Sequence, residues 1–335
     1  MNLTPNKNIV INKIRHKDID IAKGLAILLV VFGHIVARQT PIGNEWYAFL
    51  KTALYSFHMG FFMFLSGVAF YSTLRKLNNI NQFILAFKKR FARLMPSYFL
   101  FAILIFFGKL IAQQFGHVDN PVNDIYSLVD IALYPMQSIA SFLWYIYVLF
   151  IISIVTLAAF SLLRGRLFIL LIIGFTLLFI PKIDLLAIGQ ITKYFFFFIA
   201  GTYAMQNWDL YTKYVDKIWS LSLLLMATLL TFGFFTGAMW IIISIISIPA
   251  LHGVCRKDIY GKKLLLYIGS MTFPIYLMNT IAIGSTKAIM LKFINWDYNN
   301  FYIFIPLLFS AGVILPIFVK KYIFSRVNWL DKITS

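Results

Sequence analysis

The sequence predicts an all-α protein, a polytopic integral membrane helix bundle of about ten transmembrane helices with both termini cytoplasmic. Three observations carry that reading. The first is composition. Of 335 residues, 61% are hydrophobic and only 13% charged, and the mean hydropathy is +0.82. A soluble domain averages about 45–50% apolar and about 25% charged residues, so this chain lacks the polar surface to clothe a water-facing body. It is also too apolar to remain disordered in water.

The second observation is the series of apolar runs near 19–38, 55–74, 92–112, 140–162, 167–181, 185–205, 218–235, 237–254, 264–284 and 301–319. Most approach the about 20 residues that a helix needs to cross a bilayer. The fifth is short and stops at Pro181. Polar stretches at 39–54, 113–139 and 285–299 then fall on the side opposite the N-terminus.

The third is the sorting of charge. The formal net charge is +18, from 30 Lys+Arg against 12 Asp+Glu. If every run crosses, 23 of the 30 basic residues share the side of the N-terminal segment 1–18 and the tail 320–335. Arg38, Lys51, Lys109, Lys182, Lys193, Lys287 and Lys292 are left for the other side. The acids divide evenly. Sorting of positive charge alone is the rule for cytoplasmic loops, which assigns both ends to the cytoplasm and removes nucleic acid as the reason for the basic pI. Residues 1–37 read poorly as a cleaved leader, because Asp20, Lys23 and His34 flank or enter a short apolar run. The whole chain, 1–335, reads as one membrane-embedded domain. The single cysteine, Cys255, excludes an internal disulfide or a Cys-rich metal site, and no metal is expected.

Ionisable groups inside membrane helices cost a few kcal/mol or more each and so mark function. In the first run, Lys23 and His34 are eleven residues apart, which leaves them about 20° from eclipse with about 16 Å of rise between them. Asp20 stands three residues before Lys23, placed to pair with it and hold its rotamer. His58 opens the second run at the level expected for His34, and Ser66-Gly67 offers a notch for close helix packing. Before the third run, Arg90 and Arg93 share one face. Two guanidiniums at a membrane entrance suit a phosphate-rich anion, since each fork binds phosphate bidentately. The bland alternatives are a positive-inside pair for the arginines, a snorkelling Lys23 and a structural His58. His34 is harder to explain away. His117 lies in a polar loop, and His252 is too isolated for a zinc site.

Taken together, Lys23-x10-His34, Phe57-His58-Met59 with Ser66-Gly67, and Arg90-x-x-Arg93 with Pro96 resemble the acyltransferase-3 family of membrane acyltransferases, most nearly its fucose 4-O-acetylase-like branch. Leu143-Trp144-Tyr145 and Phe196–Gly201 resemble later family landmarks. Two positions depart: Gly60 stands where a proline often follows Phe-His-Met, and Asn279 ends Ser270–Asn279 where relatives commonly carry histidine. The resemblance implies transfer of an acyl group, usually acetyl, from cytoplasmic acyl-CoA to a sugar hydroxyl across or at the far face of the membrane. It also implies that Lys23, His34, Arg90 and Arg93 are functional positions.

The two readings converge on one expectation. Arg90, Arg93 and Lys23 hold the CoA phosphates, and His34 is the general base on the acceptor hydroxyl; an acyl-histidine ranks second. Asp20 orients Lys23. His58, Trp144, Tyr145 and Asn279 are acceptor-side candidates. No cofactor is bound, acetyl-CoA being a substrate. The expected acceptor is a surface polysaccharide or its lipid-linked precursor, and the expected location is the inner membrane. The competing class is a transporter or flippase of a glycan, which has no need for a phosphate clamp beside a deep histidine.

Overall fold

A computed structural model describes residues 16–37, 40–114, 118, 120–181 and 183–335. Most of the N-terminal segment 1–18, with Arg38, His117 and Lys182, lies outside the described residues. The described chain forms fourteen α-helices and no strand. They are α1 Lys17–His34, α2 Glu45–Tyr55, α3 His58–Leu74, α4 Ile80–Ala112, α5 Ser127–Leu133, α6 Trp144–Leu162 and α7 Leu167–Leu177. The series continues with α8 Ile188–Gln206, α9 Trp208–Thr231, α10 Met239–Arg256, α11 Lys262–Ser270, α12 Thr272–Met290, α13 Phe301–Tyr322 and α14 Asn328–Ile333.

Among the described residues, seven helices or helix pairs are long and apolar enough to cross a membrane, and eight if the bent pair α11–α12 counts as one span. These account for eight of the ten runs read from the sequence. The other two are α1, whose 18 residues include Lys17, Asp18, Asp20 and Lys23, and α7, which has only 11 residues. At 1.5 Å per residue α7 is about 16 Å long, well short of a hydrocarbon core of about 30 Å.

Several boundaries differ from the sequence reading. α4 begins at Ile80, twelve residues before the apolar run, with the Asn79 side chain accepting the Gln82 N–H at 2.9 Å as its cap. Its 33 residues extend about 50 Å, so the turn bearing Arg90 and Arg93 continues an apolar helix beyond the apolar run. The segment 39–54, read as polar connection, contains most of α2. The run 264–284 is one span in sequence but bends by 83° between α11 and α12. The cause is local: Pro274 has no N–H to give the Ser270 carbonyl, and the Thr272 hydroxyl instead bonds the Gly269 carbonyl at 2.8 Å.

Two glycine crossings set the closest helix approaches. α3 meets α8 at Gly67 and Gly201, where a β-carbon on either glycine would overlap a carbonyl oxygen opposite, that of Phe198 or Phe64. The notch expected at Ser66-Gly67 is therefore filled by the landmark segment Phe196–Gly201. α1 meets α11 in the same way at Gly24 and Gly269, with Leu265 and Asp20 supplying the opposing carbonyls. Without side chains at these points the backbones approach closely enough for dispersion contacts to hold the helices together in a lipid environment. The crossings fix α1 against α11 and α3 against α8, and the cavity described next lies among these elements.

Candidate active site

A cavity of about 600 Å³ opens between α1, α3, α4, α6 and the α11–α12 bend. Its mouth carries Lys23, Lys89, Arg90 and Arg93, with Asp20 as the acid beside them. Its inner wall is made by Phe62, Ser66, Tyr145 and Tyr276. Lys23 Nζ sits 3.3 Å from Asp20 Oδ1, the pairing expected from their spacing. The Arg90 guanidinium lies over the Phe70 ring at 4.4 Å, which holds its plane while leaving the edge donors available. No carboxylate pairs with Arg90 or Arg93 among the described residues. A basic, half-enclosed chamber of this size falls in the range of small-molecule sites, about 300–1,000 Å³.

The chamber's lining on α12 stops at Tyr276, and Asn279, three residues and about 4.5 Å further along the helix, meets His34. The His34 Nδ1 and Asn279 Oδ1 atoms are 2.7 Å apart. The Asn279 amide orientation is fixed, because Nδ2 donates to the carbonyls of Ile275 at 3.0 Å and Tyr276 at 2.8 Å. Oδ1 must therefore face the ring, so Nδ1 carries the proton and Nε2 keeps its lone pair. Asn279 is fully buried. His58 is arranged similarly, donating from Nδ1 to the Leu54 carbonyl at 2.7 Å. It lies within range of the charge of both His34 and Lys193.

α2 holds the end of α1 that carries His34. Tyr47, Lys51 and Tyr55 recur every four residues and so share one face of α2. The Tyr47 hydroxyl donates to the Phe32 carbonyl at 2.6 Å, Tyr55 to Gly33 at 2.9 Å, and Lys51 Nζ to Val36 at 2.6 Å. A helix leaves its last four carbonyls without intrahelical donors; here α2 supplies donors to two of them, at Phe32 and Gly33, and Lys51 caps Val36 just beyond the helix. Gly33 admits the Tyr55 ring, whose edge a β-carbon would crowd at 2.6 Å.

The opposite end of α1 is tied by Asp18. Arg256 donates to Asp18 at 2.9 Å and, through two further N–H groups, to Asp216 at 3.0 and 2.8 Å. His252, fully buried, bonds the Tyr211 hydroxyl at 2.8 Å through Nδ1, and its Nε2 contacts Asp18 at 3.4 Å, an ion-pair distance outside hydrogen-bond geometry. The sequence gives His252 no partner; the fold gives it two, from α9 and α1.

The structure thus gathers Lys23, Asp20, Arg90, Arg93 and Tyr145 at the chamber, and joins His34 to Asn279 beyond its inner wall. Tyr145 bonds Ser66 and packs against Tyr276, 5.3 Å between centroids. Trp144 stands outside the chamber, stacked on Tyr194 at 5.4 Å. Missed in the sequence were Tyr276, Ser66 as a lining residue, and the whole α2 clamp; the Tyr-x3-Lys-x3-Tyr repeat was the signal available. Among the described residues no group of three or more His, Cys, Asp and Glu side chains is arranged to hold a metal ion.

An all-helical, multi-pass membrane protein with a cation-lined chamber below a hydrogen-bonded His–Asn pair is the class that fold and site define. The family model described as an acyltransferase domain matches residues 16–321, and the chain belongs to that family of membrane acyltransferases, acyltransferase-3. No curated protein and no solved structure matches it.

Proposed function

We propose that this protein is an O-acetyltransferase of the inner membrane, which moves an acetyl group from cytoplasmic acetyl-CoA to a sugar hydroxyl of a surface polysaccharide or its lipid-linked precursor. The observation that supports the reading is the nearness of the basic chamber to the His34–Asn279 pair along α12. A chamber whose mouth holds Lys23, Arg90 and Arg93 ends on Tyr276, one turn of α12 before the asparagine that orients His34. The arginine forks suit the CoA phosphates, and Lys23, steadied by Asp20, adds a third cation.

The chemistry needs no covalent enzyme intermediate. The His34 Nε2 lone pair removes the proton of the acceptor hydroxyl as its oxygen attacks the thioester carbonyl. A C–O bond forms, the C–S bond breaks, and the departing thiolate takes the proton back from the imidazolium. Asn279 holds the ring in the tautomer this step requires and accepts from Nδ1–H throughout. His58, on the same end of the bundle, and Trp144 remain candidates for the acceptor side.

The test is binding and turnover of radiolabelled acetyl-CoA by the purified full chain. Wild type binds saturably, R90A/R93A loses binding, and H34A binds but does not turn over. If wild type fails to bind acetyl-CoA, the clamp is wrong and glycan transport without chemistry becomes the better account. If H34A, shown to be folded, transfers acetyl at the normal rate, the base is wrong.

A further inference from the structure

The basic residues assigned to the end of the bundle opposite Arg90 divide by what their ammonium groups touch. Lys51 donates to the Val36 and Ala37 carbonyls at 2.6 and 3.4 Å, and Lys109 to those of Asn120 and Ile139, each at 2.9 Å. These are backbone-capping lysines. Lys287 lies 3.6 Å over the Trp296 ring and has further partners, and Lys292 is exposed on a loop. Lys193 is different. It sits within α8, about 7.5 Å from the start of the helix, half-buried. Its ammonium lies 4.3 Å over the Trp240 ring and 5.5 Å from that of Tyr194. Among the described residues no carboxylate or carbonyl accepts from it.

An ammonium in an apolar helix is costly and marks function by default. Ring faces attract the cation but offset only part of that cost, and among the described residues its three N–H donors have no oxygen acceptor. The surroundings extend toward the candidate active site. Tyr194 stacks on Trp144, and Phe197 neighbours Trp240 at 6.1 Å and approaches Gly60, two residues from His58. His58 lies within range of the Lys193 charge and of His34. Flat aromatic faces, a free cation and a nearby imidazole form one neighbourhood.

We infer that Lys193, framed by Trp240 and Tyr194, binds an anionic group carried by the acceptor: a phosphate or a carboxylate attached to the sugar that is acylated. This rests on the acyltransferase reading for the word acceptor, but the anion site itself does not depend on it. Two sources share this chemistry, the phosphate that joins a glycan to its lipid carrier and the carboxylate of an acidic sugar.

The experiment titrates the full chain in phosphatidylcholine nanodiscs, with coenzyme A in excess to occupy the basic chamber. The probes are two matched pairs, farnesyl phosphate against farnesol and methyl glucuronide against methyl glucoside. One anionic probe is expected to bind at least tenfold more tightly than its neutral partner, and the pair that shows this names the source. K193M abolishes the preference and K193R retains most of it. Acetyl-CoA affinity, measured on the same preparations without coenzyme A, is unchanged by either substitution and reports that the variants are folded. Should K193M lose its melting transition, W240L, which removes the ring beneath the ammonium, carries the test with K193R and weakens the preference. No anion preference in wild type, or a preference that survives K193M, overturns the inference and leaves Lys193 as a lysine reaching for headgroups. Failure of wild type to bind acetyl-CoA would instead defeat the donor reading, and the anion result would stand on its own.

Discussion

His34 and Asn279, 245 positions apart in the chain, share a hydrogen bond of 2.7 Å that sets which imidazole nitrogen is free. The asparagine acts through the histidine, since its own amide donors are consumed by two carbonyls of α12. Replacing it by alanine leaves Nδ1–H without its acceptor and lets the ring turn or change tautomer. N279A is expected to lower kcat about 10–100-fold, or about 1.4–2.8 kcal/mol in the barrier, while acetyl-CoA affinity stays within about twofold. Single-turnover rates beside equilibrium binding check this. An unchanged rate would mean that the pair is structural.

How much of this was legible in the sequence depends on the range of the interaction. Lys23, His34 and Asp20 could be placed on one helix face from spacing alone, as could Arg90 with Arg93, because helical geometry fixes neighbours three, four and eleven residues apart. Asn279 stands in the sequence as a departure from a family pattern and as an acceptor-side candidate. Nothing in periodicity says which helix lies against which, so its partnership with His34 had to await the packing of α12 on α1. His252 looked isolated for the same reason. Pro274 was in plain view as a helix breaker, yet the unbroken apolarity of 264–284 masked the bend. Lys51 counted only as a charge, although its place between Tyr47 and Tyr55 at four-residue intervals marked a face.

That face yields the second prediction. Tyr55→Phe removes one donor to the Gly33 carbonyl with little change in volume, and a net loss of about 0.5–1.5 kcal/mol of stability is expected. Lys51→Met removes the cation at the C-terminal end of α1 as well as the donor to Val36, where charge and helix dipole reinforce each other. Its cost is expected to exceed that of Tyr55→Phe. Thermal unfolding of both variants in one detergent tests the order. The reverse order would show that the Tyr55 hydroxyl, rather than the Lys51 cation, carries the clamp.

At the other end of α1, Arg256 joins Asp18 to Asp216 and so links α1, α9 and α10. Arg256→Met strands two carboxylates, one of them beside buried His252. The pair is only partly exposed, with 22% of the Arg256 and 17% of the Asp18 side chain accessible. The expected loss is therefore larger than the about 0–1 kcal/mol of an exposed ion pair and smaller than the about 3–5 kcal/mol of a fully buried one. Because Asp18 lies on α1 two residues before Asp20 and five before Lys23, weaker acetyl-CoA binding is expected to accompany the loss. A variant that melts early but binds acetyl-CoA normally would separate this network from the chamber.

The tail offers the last prediction. Lys320, 8% exposed, is buried in α13 with its ammonium on the Asp331 carbonyl at 2.7 Å, Asp331 Oδ1 at 2.9 Å, the Thr334 hydroxyl at 3.1 Å and the Ser335 hydroxyl at 2.7 Å. Ser97, one turn beyond Arg93 on α4, donates to the Ile333 carbonyl. These contacts hold α14 against α4 and place Ser335 among the residues that line the chamber. Lys320→Met removes all four and leaves the tail held by Ser97 and its packing. Cys255 is fully buried, so a cysteine at 335 can be labelled almost alone. Position 335 is exposed, so the S335C protein is expected to react with maleimide, faster in the K320M background where the tail is loosened, and more slowly when acetyl-CoA fills the chamber. Equal labelling rates with and without Lys320 would show that the lysine does not hold the tail. If acetyl-CoA gave no protection, the tail would lie clear of the donor.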